Sequence, residues 1–219
     1  MNRRWAPFII VAIVATTTFT AGALLYRINA PQSRAAGEMK SQSTSGDHVR
    51  GNKDALVTIE EFGDLECPPC AALAPIMKKI EEEFHGKVRV VFRHFPLINH
   101  VHSRDAAYAA EAAAEQGHFW EMHDLLYQQQ SAWNKAPDVP ALFASYARVL
   151  GLDVTRFEKD RQAPTVRERV TADQDRAKAR GVEVTPSVFV NGHSLEGPSL
   201  NESGLRAAIL AALSAEPKS

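Results

Sequence analysis

The sequence predicts an α/β domain in which a strand–helix–strand unit and a closing β-hairpin are separated by a block of helices. Three observations carry this. A β-branched run near residues 55–62 is followed by helical periodicity and a second strand-like run at 87–95; residues 100–180 are helical in pattern; and Asn191-Gly192 lies between two apolar segments near the C-terminus.

Leu56-Val57-Thr58-Ile59-Glu60-Glu61-Phe62, bounded by Gly51-Asn52 and Gly63-Asp64, predicts the first strand. Beyond it Cys70, Leu73, Ala74, Met77, Ile80 and Phe84 recur at helical spacing, and Gly86 ends the helix. Lys87 to Phe95 predicts a second strand with Val88, Val90 and Phe92 on one face. Such a unit implies parallel strands joined by a right-handed crossover. Helices are then expected at Ala106–Gln116, Phe119–Gln130 and Val139–Leu150. Asp153 caps a short one, and Thr165 with Glu168 has capping-box spacing for a last one ending before Gly181. Thr185 to Leu195 reads as two strands around an Asn-Gly turn. Leu200–Leu213 closes the chain as a helix capped by Ser199 with Glu202.

The chain has 219 residues, is 45% hydrophobic and carries a formal charge of −1, which suits one sizeable domain and leaves no basic field for nucleic acid. Residues 5–25 are uncharged and follow Arg3-Arg4; as a helix they would be about 30 Å long, enough to cross a hydrocarbon core. Residues 1–26 are therefore expected to be a membrane anchor. The small-x-small run Ala21-Gly22-Ala23 makes a cleaved signal peptide the competing reading, and either places the rest outside the cytoplasm. Residues 27–47 are polar and small, as in a flexible tether, so the folded domain is expected at 48–215.

Both cysteines lie in Cys67-Pro68-Pro69-Cys70, at the junction between the first strand and its helix. A disulfide there closes too short a loop to staple a fold, so the pair points to redox chemistry or half a metal site. Unpaired N–H groups and the positive dipole end at a helix start stabilise a thiolate, the nucleophile in disulfide exchange. Cys67 is placed to feel them. Cys70, one turn inside, suits a resolving thiol, and Pro68 and Pro69 fit the first helical turn. Glu61 shares a strand face with Val57 and Ile59 and reads either as a buried proton acceptor for Cys70 or as an edge-exposed glutamate. Pro186, after Thr185, is either an ordinary strand-edge proline or a cis proline held against the sulfurs.

The strand ending Glu61-Phe62, the Cys-Pro-Pro-Cys helix, the helical insert and Val184-Thr185-Pro186-Ser187 together resemble the DsbA-like family of extracytoplasmic thiol-disulfide oxidoreductases, built on a thioredoxin fold. His94-Phe95-Pro96-Leu97, Gly117-His118-Phe119-Trp120 and His123-Asp124-Leu125-Leu126 resemble it too. The resemblance implies Cys67 as attacking thiol, Cys70 as resolving thiol, Glu61 as buried acid and Pro186 as a facing cis proline. Pro68, Pro69 and Thr185 would line the substrate. It implies exchange of disulfides with exported polypeptides, principally as an oxidase recharged by a membrane partner, with no cofactor. The departure is Pro69, which stands where strong oxidases have histidine. Loss of that positive partner and of an N–H donor should leave the Cys67 thiolate less stabilised, between thioredoxin and DsbA, which lie roughly 150 mV apart.

A zinc site would need two more ligands, and only His100 and His102 form a close pair, expected in a solvated loop. His85, His94, His118, His123 and His193 are scattered and read as satisfied or exposed, and Trp120 and Trp133 as helical core or surface aromatics. A reductase or isomerase, or a tethered chaperone-like binder with incidental cysteines, are the other functional classes.

Overall fold

The computed structural model describes residues 46–215. A five-stranded sheet is ordered β1-β3-β2-β4-β5, with β1 His48–Gly51, β2 Val57–Gly63, β3 Val88–His94, β4 Ser187–Val190 and β5 His193–Leu195. Only β2 and β3 run parallel, in register from Val57 opposite Val88 to Gly63 opposite His94. Helix α1, Pro68–Glu83, joins them, so the strand–helix–strand unit is as the periodicity predicts. Six helices separate β3 from β4: α2 Ser103–Ala114, α3 Phe119–Gln128, α4 Gln130–Trp133, α5 Val139–Val149, α6 Val154–Arg161 and α7 Pro164–Ala179. Helix α8, Glu202–Ala215, ends the domain.

Alternation along the strands sorts side chains to two faces. Val57, Ile59, Val88, Val90, Val188 and Val190 pack against Leu73, Met77 and Ile80 of α1 and Leu205 and Ile209 of α8. On the opposite face Phe62 meets Ala177 and Val182 beside α7. The insert has its own core, in which alanines 106, 109, 110, 112 and 113 let α2 approach Met122, Leu126, Trp133, Phe143 and Phe157 closely.

Ions are buried on the α7 face. Arg93 bonds Glu60 at 3.1 Å, pairs with Asp173 at 3.4 Å and holds Asp47, just ahead of β1; Glu60 also holds Arg180, which lies 4.0 Å over the Phe189 ring. Buried charges persist only when paired. The network ties the chain before β1 to β2, β3 and α7.

Several boundaries differ from the sequence expectation. β1 is an added strand, antiparallel to β3; His-Val-Arg-Gly offers too little alternation to announce it. The short α4 is also added. α2 begins at Ser103 because Glu66 Oε2 accepts from the His102 amide at 2.6 Å. The Thr165/Glu168 box does not start α7: Pro164 takes the first turn and Ala163 is the N-cap. Nor does Ser199 cap α8. Asn201 Oδ1 does, accepting from the Gly204 amide at 3.0 Å, and a Cβ on Gly204 would stand 2.1 Å from the Ser199 carbonyl oxygen. Asp153 caps α6 as expected.

The Asn-Gly turn is present, with Asn191 at φ 45° and Gly192 at φ +85°. Asn191 also accepts from the Thr58 amide at 2.8 Å and donates to the Leu56 carbonyl at 3.2 Å, stitching the hairpin to β2. The expected anchor and nearly all of the tether lie outside the described residues. Among the described residues no helix is long and apolar enough to cross a membrane.

Arg93→Met would remove the buried cation that Asp47, Glu60 and Asp173 share while keeping the side-chain bulk. Urea unfolding should show a loss of about 3–5 kcal/mol, whereas exposed Lys178→Met should lose under about 1 kcal/mol.

Candidate active site

At Gly63, the last residue of β2, nothing larger fits: a Cβ there would stand 2.5 Å from the Phe92 ring and 3.0 Å from the Tyr127 hydroxyl. The next residue, Asp64, is 1% exposed and fully used. Its carboxylate accepts from the amides of Glu66 at 2.8 Å and Leu97 at 2.9 Å and from the Ser103 hydroxyl at 2.6 Å, and it meets His100 Nδ1 at 2.7 Å. Its carbonyl accepts from the Cys67 amide at 3.0 Å and the Tyr127 hydroxyl at 3.4 Å. From α4, Gln130 Nε2 donates to the carbonyls of Leu65 at 2.8 Å and Cys67 at 3.1 Å. The loop into α1 is therefore clamped from the insert.

Cys67 is the N-cap of α1, Pro68 and Pro69 occupy its exposed first turn, and Cys70 faces inward with no exposure. Both thiols are free. Cys67 is 4% exposed, and its Sγ donates to the Thr185 carbonyl at 3.4 Å. The Thr185–Pro186 peptide is cis, and the buried Thr185 hydroxyl has no hydrogen-bond partner.

The two sulfurs, three residues apart, have opposite acidities. A hydrogen bond from Cys70 brings the Cys67 thiol down to about 6 against the opposing effect of burial, helped by the Cys70 amide. Burial, and then the Cys67 thiolate and Glu61, push Cys70 far above the ordinary thiol range. Cys67 can thus be a thiolate near neutrality while Cys70 keeps its proton.

Glu61 is 3% exposed on the central strand β2, which removes the edge-exposed reading, and its Oε1 has no hydrogen-bond partner. Burial raises its carboxyl to about 8, Arg50 opposing and Cys67 adding to the rise. Near neutrality it can hold or release a proton next to the thiols.

The site draws on residues that sequence reasoning missed. Asp64, Tyr127 and Gln130 carry no local motif and reach the loop only through the packing of the insert. His100 and His102 are not in a free solvated loop: His100 binds Asp64, and the His102 amide binds Glu66. Neither joins the cysteines in a metal-ligating group among the described residues. His94 and His123 are both buried; His123 Nδ1 meets Asp124 Oδ1 at 2.8 Å, and the Nε2 of each ring has no hydrogen-bond partner.

A family model described as thioredoxin (Thioredoxin_4) matches residues 43–210. The chain belongs to that family. Among solved structures, this thioredoxin-family chain is similar to a thioredoxin-like oxidoreductase from Silicibacter pomeroyi at 28% identity and a TM-score of 0.68, covering 79% of this chain and 95% of that one. It is similar to Pseudomonas aeruginosa DsbA2 at 27% identity and a TM-score of 0.65, covering 81% and 100%. A curated relative from Salinispora tropica, named Na(+)/H(+) antiporter NhaA 3, is 42% identical over 167 residues, or 76% of this chain. This chain spans 24% of that protein's length, so the likeness concerns one segment of a longer molecule.

Because the folded-state pKa of Glu61 is raised from 4.5 to about 8, its contribution to stability is present below pH 4.5 and is lost as pH rises toward 8. Glu61→Gln, which cannot ionise, should gain on the wild type across that window, reaching about 4 kcal/mol at pH 8. Urea midpoints measured from pH 4.5 to 8 check this. A constant difference would mean that folding does not raise the Glu61 pKa.

Proposed function

We propose that this protein is an extracytoplasmic thiol-disulfide oxidoreductase that oxidises exported polypeptides through Cys67 and Cys70. The observation that carries the reading is the opposite acidity of the two sulfurs, with Cys67 lowered to about 6 at the helix start and Cys70 raised in the interior. A thiolate that is stable in the reduced protein makes the corresponding disulfide a better oxidant. The value of about 6 for Cys67 falls between about 7 for thioredoxin and about 3.5 for DsbA.

In the forward reaction the protein begins with a Cys67–Cys70 disulfide. A substrate thiolate attacks Cys67 Sγ, a mixed disulfide forms, and the Cys67–Cys70 bond breaks. Cys70 leaves as a strongly basic thiolate and takes a proton, which the Glu61 carboxyl supplies and recovers from solvent. A second substrate thiolate then attacks the substrate sulfur of the mixed disulfide, and Cys67 departs as a thiolate. The substrate gains a disulfide, and its two electrons reside on the two cysteines until a membrane redox partner removes them. Thr185 and Pro186, facing Cys67, would hold the substrate backbone, while exposed Pro68 and Pro69 shape the rim.

Residues 5–26 supply the membrane attachment in this reading. A matching segment in a relative named as an antiporter supports work close to a membrane.

The equilibrium potential against a glutathione series tests the direction. It should fall between about −270 mV for thioredoxin and about −120 mV for DsbA. Protein trapped from intact cells should be oxidised, and Cys67→Ser should abolish oxidation of a reduced, unfolded substrate. A potential at or below that of thioredoxin with a reduced steady state would make the protein a reductase. Full activity in Cys67→Ser would remove the cysteines from the function.

A further inference from the structure

Three elements bring ligating side chains together away from the thiols: His48 on β1, His94 at the end of β3 and Glu111 on α2. Among the described residues this is the one group of three or more such side chains whose donor atoms lie within 4.8 Å of one another. His94 and Glu111 are 1% exposed and the His48 side chain 11%. Both imidazoles present Nε2 to the same oxygen, Glu111 Oε1, from 2.6 Å for His48 and 3.2 Å for His94. The two contacts are not equivalent. His48 makes a hydrogen bond, whereas His94 Nε2 stands in ion-pair range of the same oxygen without a hydrogen bond. A buried ring nitrogen left without a hydrogen bond calls for an explanation.

We propose that His48, His94 and Glu111 form a binding site for one divalent transition-metal ion of the zinc type. Two imidazole nitrogens and one carboxylate oxygen are a donor set such an ion favours, with water in the fourth position. Donors about 2.0–2.1 Å from zinc stand roughly 3.3 Å apart at the tetrahedral angle, close to the 3.2 Å between His94 Nε2 and Glu111 Oε1.

The surroundings orient these donors. His48 stacks on Phe119 with ring centres 3.4 Å apart, and the His94 amide is fixed by Asp173. Arg169 stands against the cluster, its Nε 3.0 Å from Glu111 Oε2 in an ion pair without a hydrogen bond, and another of its nitrogens lies on Glu115. Its charge balances the Oε2 side of the carboxylate and leaves Oε1 to bind the metal in monodentate fashion. A bound ion would clamp β1 to β3 and the insert.

The test uses protein with the Cys67–Cys70 disulfide formed, so that the sulfurs cannot take the metal. Zinc titration by calorimetry, repeated with cobalt followed by its visible spectrum, should show one equivalent bound through nitrogen and oxygen. Thermal unfolding should shift upward on adding zinc, because the ion binds the folded state. Affinity should fall about tenfold or more in His94→Ala and in His48→Asn, and stay unchanged in the exposed control His193→Asn. His48 lies at the edge of the sheet, so its variant carries the test if the buried His94→Ala fails to fold. Absence of zinc binding by the oxidised wild type, or equal binding by wild type and His48→Asn, would overturn the proposal. Neither outcome bears on the thiol chemistry.

Discussion

The place where α1 begins is decided by one buried carboxylate, and the thiol chemistry depends on that place. Asp64 gathers Glu66, Leu97, His100 and Ser103 around its carboxylate and holds the Cys67 amide on its carbonyl. With Gln130 closing on the same loop, Cys67 has no freedom to slide into the helix or out of it. The six-helix insert is thus part of the active site even though none of its residues reacts. It supplies the rigid support that a positioned nucleophile needs.

Adjacent glutamates on β2 show what the fold does with buried charge. Glu60 points to the α7 face, where Arg93 and Arg180 neutralise it, and there the charge serves structure. Glu61 points to the other face, where one carboxylate oxygen is left without a partner and burial raises its pKa to about 8. A buried acid left unpaired beside two thiols works against stability, and it is retained where proton transfer is required. The same contrast separates the sulfurs: Cys67 has hydrogen bonds for its anion, while burial and neighbouring negative charge keep Cys70 protonated.

Much of this was legible in the sequence, and the limits have physical causes. The parallel unit, α1 and the Asn-Gly hairpin could be read because their information is local: β-branched runs, helical spacing and turn residues. Glu61 could be placed on the apolar face by counting in twos from Val57 and Ile59. β1 could not be read, because four residues with one apolar side chain gain their strand character from β3. The capping assignments failed at Thr165 and Ser199 because Pro164 and Asn201 are stronger local determinants of helix starts. Asp64, Tyr127 and Gln130 were invisible as site residues because their partners lie far along the chain and meet only when the insert packs. The grouping of His48, His94 and Glu111 was invisible for the same reason, since these residues converge only in the fold.

The central claim is that two sulfurs in one helical turn differ in acidity by environment alone. The direct measurement is the pH dependence of alkylation of the fully reduced protein by iodoacetamide, with each cysteine read separately by peptide mass spectrometry. Cys67 should react with a midpoint near pH 6, and Cys70 should stay unmodified throughout while the domain remains folded. Equal labelling of both cysteines, or a midpoint for Cys67 near the ordinary thiol value of 9.0, would contradict the account.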